Sequence, residues 1–197
     1  MSALKILYDD IKAQGVVLPE DDWRELCASF EPVTLAAGDV ILCQSQIADR
    51  WLFVAQGVAA SAQTSIAGEA WIARFFEAGH FAANLPSVWR RDYFLDDLVA
   101  ITPVAGVFIP DTVLREAYLR GGAFGVYLRI KVMETLLFDK DLICAQTSAS
   151  LERRYEFLET FYRDVLSSVP KKDVARFLGV TPQSYSRFLR SRSRDET

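Results

Sequence analysis

One histidine and three cysteines in 197 residues exclude much of the chemistry a chain this size could carry. A histidine-based metal site or a Ser-His-Asp triad would have to be built on His80 alone. Cys27, Cys43 and Cys144 lie far apart and form no CxxC pair, which argues against a disulfide framework, a zinc site and an iron–sulfur cluster. Cys43 and Cys144 read instead as buried small hydrophobes. There is no P-loop, no GxSxG and no HExxH, so neither an enzyme nor a bound metal or cofactor is expected. Long hydrophobic runs are also lacking. The longest weakly polar stretch, residues 99–110, is too short to span a bilayer, so no membrane partner is expected. The opening MSALKILYDDIK has no apolar signal core, which reads as cytoplasmic. Apolar residues at 51% and charged residues at 24% are globular values and rule out disorder and low complexity.

The net charge of −4 hides an asymmetry. Residues 1–150 hold 12 Lys and Arg against 19 Asp and Glu. Residues 169–194 hold seven basic side chains and one acid, Asp173, a local charge of +6. An acidic body with a basic end points to a charged partner at that end.

The patterning divides the chain. Residues 2–13 and 20–29 read as helices. From 32 to 110 short apolar runs alternate with Gly, Pro and Asp, the grammar of an antiparallel β sandwich or roll. Pro110 and Asp111 open a short helix that Gly121 and Gly122 close. A long helix follows over roughly 123–148. Phe124, Tyr127, Ile130, Met133 (or Leu137) and Leu142 mark one apolar face, and Val126, Leu128, Val132, Leu136 and Phe138 add more. One face can cover the roll; a partner chain is the economical cover for the other, giving a dimer seam. Leu151, Tyr155, Leu158, Phe161 and Tyr162 form a further amphipathic stripe. The expected division is therefore 1–122 for the N-terminal helices and roll, 123–148 for the central helix, and 149–197 for a helical C-terminal domain.

The segment KKDVARFLGVTPQSYSRFLR, residues 171–190, has the logic of a helix-turn-helix. Ala175 suits a close helix crossing, Gly179 a left-handed turn, and Val180 the gap between helices. Thr181 is an N-cap and Pro182 stands at the first helical position. Tyr185 and Phe188 fall on the inner face, while Gln183, Ser184 and Arg187 fall outward, followed by Arg190, Arg192 and Arg194. Such a helix suits the major groove of duplex DNA.

This segment resembles the terminal helix-turn-helix of the Crp/Fnr family of bacterial transcription regulators, in a short form. Residues 35–41, residues 51–57 and Gly68-Glu69 are similar to the turn signatures of its cyclic-nucleotide-binding β-roll. The resemblance implies an α+β fold with an antiparallel roll, a long dimerisation helix and a C-terminal DNA-reading unit. It implies a homodimer on a near-palindromic operator and RNA polymerase as a further partner. By position it assigns Gln183, Ser184 and Arg187 to base edges, and Thr181, Ser186 and Arg190 to phosphates. Arg192, in the basic tail, is expected to add a sequence-independent phosphate contact. Cyclic-nucleotide binders of the family carry Gly-Glu after a Phe and an Arg further on. Here those places read Phe81, Ala82, Ala83, Asn84 and Tyr93, Phe94, Leu95, Asp96, Asp97. A cyclic phosphate would meet two carboxylates, so neither cAMP nor cGMP is expected to bind, and the pocket near Phe81, Ala83, Asn84, Phe94 and Asp96 has no assigned effector. The alternative is a small-ligand sensor that acts through protein contacts.

Overall fold

The computed structural model describes the chain except residues 45, 65–69, 84–86, 88, 89, 94, 95, 149, 196 and 197 and the side chains at 163, 194 and 195. Two helices, α1 (Ala3–Ala13) and α2 (Glu20–Cys27), precede eight strands: β1 (Glu31–Leu35), β2 (Val40–Leu42), β3 (Arg50–Gln56), β4 (Ala59–Thr64), β5 (Ala70–Phe76), β6 (Phe81–Ala82), β7 (Asp97–Ala100) and β8 (Val104–Pro110). Then come α3 (Asp111–Arg120), α4 (Gly122–Gln146), α5 (Leu151–Phe161), α6 (Arg163–Ser168), α7 (Lys171–Phe177) and α8 (Pro182–Asp195). The class is α+β, with every strand pairing antiparallel.

The strands form two four-stranded sheets, ordered β1-β8-β3-β6 and β2-β7-β4-β5. Their facing surfaces enclose Leu52, Val54, Phe76, Leu98, Ala100, Val104 and Phe108. Both outer faces are also covered. Behind the first sheet, Phe53, Ala55, Val107 and Ile109 meet Leu7 and Ile11 of α1, Leu114 of α3, and Phe124 and Tyr127 of α4. That double burial explains why β3 reads Trp51-Leu-Phe-Val-Ala as an unbroken apolar run. Behind the second sheet, Val58, Ala60, Ile72 and Phe75 meet Leu142 of α4 and the C-terminal helices through Leu158, Tyr162, Phe177 and Leu178. The C-terminal helices are thus packed on the roll by a shared core.

Gly121, at φ +90°, ends α3 and turns the chain into α4 as expected. Two expectations for α4 are corrected. Its roll-facing side is Phe124, Tyr127, Leu128 and Leu142, whereas Met133 and Leu137 are exposed. Cys144 is exposed as well, not buried. The reason is geometric: apolar residues surround this helix, so its sequence does not say which face meets the roll.

Tyr162 closes the junction. It interrupts the helical path between α5 and α6 at φ −131°. Its buried hydroxyl donates to the Phe75 carbonyl at 3.1 Å and accepts the Phe75 N–H at 3.2 Å. Phe75 lies on β5, the edge of the second sheet. Tyr162→Phe leaves both backbone groups buried without that partner, so it should destabilise the protein by about 1–3 kcal/mol in urea unfolding. An unchanged midpoint would show that β5 does not depend on this hydroxyl.

Candidate functional site

The turn between α7 and α8 is built as its residue types dictate. Ala175 is fully buried and its carbonyl accepts the Val180 N–H at 3.0 Å. Gly179 has φ +67°, and a Cβ there would meet no atom within 4 Å. The glycine is therefore required by backbone conformation and not by crowding. The Thr181 hydroxyl accepts the Ser184 N–H at 3.2 Å, an N-cap bond on the first turn of α8. Tyr185 is buried, and Phe188 and Leu189 are half-buried against the same core. Tyr155 of α5 supports this face, with its ring 5.2 Å from that of Phe188.

The outer face holds the residues singled out from sequence. Thr181, Gln183, Ser186, Arg187 and Arg190 are exposed. Ser184 is half-buried; its hydroxyl lies 3.0 Å from that of Thr181 and accepts from Arg187 Nη2 at 3.3 Å, which orients that guanidinium. The Ser186 hydroxyl donates to the Pro182 carbonyl at 2.9 Å.

Arg192 departs from the expectation of a free cation in the tail. Its Nη1 lies 3.1 Å from Glu152 and 3.2 Å from Glu159, and its guanidinium stands 4.7 Å over the Tyr155 ring. It clamps the end of α8 to α5 and does not face outward. The signal was the pair Glu152 and Glu159, one heptad apart on α5, which presents two acids along one helix face.

The expected roll pocket is split by the fold. Phe81 and Ala83 line a cavity of about 240 Å³ between strands and helices, together with Trp51, Arg74, Arg115 and Lys131. Each cation is paired: Arg74 with Asp139, Arg115 with the buried Asp111, and Lys131 with Asp10 and Glu134. Asp96 does not line that cavity. Its side chain accepts from Ser61, and its second carboxylate oxygen is buried without a partner. Strand period two puts it in phase with the inward Leu98 and Ala100. Asn84, Phe94 and Gly68-Glu69 lie outside the described residues. Among the described residues no cluster of metal-ligating side chains occurs, and no helix is long and apolar enough to cross a membrane.

The fold, an antiparallel roll followed by a long helix and C-terminal helices, is shared with several solved structures. FixK2 from Bradyrhizobium japonicum matches with a TM-score of 0.71 at 16% identity, over 85% of this chain and 86% of that one. The c-di-GMP-responsive global regulator CLP of Xanthomonas campestris gives 0.59 at 14% identity, over 88% and 91%. A CooA mutant from Carboxydothermus hydrogenoformans gives 0.60 at 12%, over 86% and 79%. At these identities the likeness is one of fold. No protein-family model matches the chain, and no curated relative matches it by sequence.

The β5–β6 turn carries two perturbed groups beside α6. Burial, aided by Arg74 and Lys131, lowers the His80 imidazole to about 4, and its Nδ1 accepts the Glu77 N–H at 3.1 Å. Burial raises the Glu77 carboxyl from 4.5 to about 7; the Val165 N–H, which it accepts at 2.8 Å, opposes that rise and the Asp164 charge adds to it. A carboxyl raised in the fold stabilises it below the unfolded value, and the contribution is lost as pH rises through about 7. Glu77→Gln should therefore gain thermal stability relative to wild type from about pH 4.5 to about pH 7 and hold a constant margin above that. Melting curves with a margin independent of pH would refute the assignment.

Proposed function

We propose that this chain is a sequence-specific DNA-binding transcription regulator of the Crp/Fnr type, working as a homodimer on a near-palindromic duplex with RNA polymerase as a further partner. One observation carries the reading: α8 is anchored by Tyr185, Phe188 and Leu189 while Gln183, Arg187 and Arg190 stay exposed on its other side. A helix so mounted fits the major groove. Gln183, Ser184 and Arg187 read base edges; Thr181, Ser186 and Arg190 hold phosphates. Arg192 positions α8 through α5 and makes no phosphate contact. Residues 1–122 form the regulatory roll, 123–148 the pairing helix and 149–197 the DNA-reading unit.

The pairing surface is the outer side of α4. Val126, Met133, Leu136 and Ile143 are exposed at steps of seven, three and seven, and Leu137 is exposed beside them. That is heptad spacing along one stripe. The roll takes neither cAMP nor cGMP, because each cation that lines its cavity, Arg74, Arg115 and Lys131, is already paired with an acid and leaves no free counter-charge for a cyclic phosphate.

Selection of bound fragments from random duplex, followed by binding titrations over a range of salt, tests the reading. A recovered inverted repeat and steep weakening with salt are expected. Arg187→Ala should cost about 1–3 kcal/mol on the selected site and much less on random duplex. Equal losses on both would remove Arg187 from base reading. Met133→Glu combined with Leu136→Glu should give a monomer in sedimentation and abolish binding to the repeat; a dimer that survives both changes rules out this seam.

A further inference from the structure

A cleft of about 380 Å³ opens where the roll meets the C-terminal helices. Its lining comes from five places: Trp71 on β5, Gln146 at the end of α4, Arg154 on α5, Arg176 on α7, and Gly179 in the turn before α8. Both charged residues in the lining are cations, and no acid lines it. Arg154 is the telling member. It is half-buried, its Nη1 donates to the Ser148 carbonyl at 2.6 Å, and its Nε is buried without an acceptor. No ion pair to Arg154 is found among the described residues. Arg176 is bound on one side only, with Nη1 2.7 Å from Asp173, and its side chain remains 44% exposed. Trp71 is 39% exposed in a strand that otherwise turns its apolar residues inward. A half-buried guanidinium without a counter-ion, beside a second guanidinium and an open indole, has the chemistry of an anion site with a platform for a ring. The volume falls in the ordinary range for small-ligand sites, about 300–1,000 Å³.

We propose that this cleft binds a monophosphate ester of a planar ring, with the phosphate between Arg154 and Arg176 and the ring on Trp71. Gln146 is already committed, its amide donating to the Ala73 carbonyl at 2.8 Å, and so forms a fixed wall. The site stands apart from the DNA reading, since none of its residues belongs to the outer face of α8. A ligand held there touches the β5 edge, the central helix and the turn of the helix-turn-helix together, and it favours the arrangement in which all three are docked.

Titration calorimetry of the full-length protein with phenyl phosphate tests this, with inorganic phosphate and phenol as the two fragments. Phenyl phosphate should bind below about 1 mM, with each fragment at least tenfold weaker. Arg176→Gln and Trp71→Ala should each weaken it at least tenfold while the protein remains folded, as checked by its melting transition. Arg154→Gln should do the same, with Arg154→Lys retaining part of the affinity. No binding by the wild type, or equal binding by Arg176→Gln and Trp71→Ala, overturns the proposal. So does loss of duplex DNA affinity in Arg154→Gln when phenyl phosphate never binds, because Arg154 is then a DNA-phosphate contact. Phenyl phosphate binding that follows this pattern in a protein that binds no duplex supports the site and counts only against the DNA reading.

Discussion

The outer edge of β5 is the constraint on which the rest of the molecule depends. An edge strand presents backbone donors and acceptors that need partners, and one that is buried needs them inside the protein. Here alternate residues are met in turn. The Ala73 carbonyl receives the Gln146 amide, both backbone groups of Phe75 meet the Tyr162 hydroxyl, and the Glu77 N–H goes to His80. Two of those partners lie at the end of α4 and the end of α5. Closing the edge therefore also fixes where the C-terminal helices sit. Phe75 adds an apolar lock, its ring 5.2 Å from that of Phe177 and nearly parallel to it. α7 is held through Phe177, and the turn at Gly179 passes that placement to α8.

Local grammar made much of this legible from the sequence. The turn between α7 and α8 rests on short-range rules: a small residue at a crossing, a glycine at positive φ, a Thr cap and a Pro start. Each of these acts within a few residues. The strands were readable because β3, β4 and β8 bury both faces or alternate between turn signals. What stayed hidden is non-local. Nothing near Met133 says that the roll lies on the other side of α4. Nothing near Asp96 says that Ser61, on a neighbouring strand, will receive it. Arg192 looks like one more cation in a basic tail until Glu152 and Glu159 are brought beside it. The cover on β5 joins residues roughly 90 positions apart, a distance that periodicity cannot see.

Counting charges by segment also overstated the free positive charge at the C-terminal end. Arg176 shares its charge with Asp173, and Arg192 is spent on two glutamates. Among the described residues of 169–194, the exposed cations that remain are Lys171 and Lys172 at the start of α7, and Arg187 and Arg190 on α8. Positive charge is thus concentrated at the first turn of α7 and along the outer side of α8. That narrower distribution fits one groove-facing surface better than a diffuse basic tail, since phosphate contacts contribute only where the backbone passes.

The central helix joins these features mechanically. On its roll side, Asp139 pairs with Arg74 of β5, and seven residues further on Gln146 reaches the Ala73 carbonyl. Both partners are consecutive on the same edge strand. On its opposite side runs the exposed stripe from Val126 to Ile143. A rigid helix of 25 residues cannot shift along β5 without carrying that stripe with it. The edge strand also holds Tyr162 and through it α7, so the stripe and the turn before α8 share one reference. Two copies joined along the stripe would then hold their outward helices at a separation set by the docking of each protomer's β5 edge, not by the flexibility of the segment between α4 and α5.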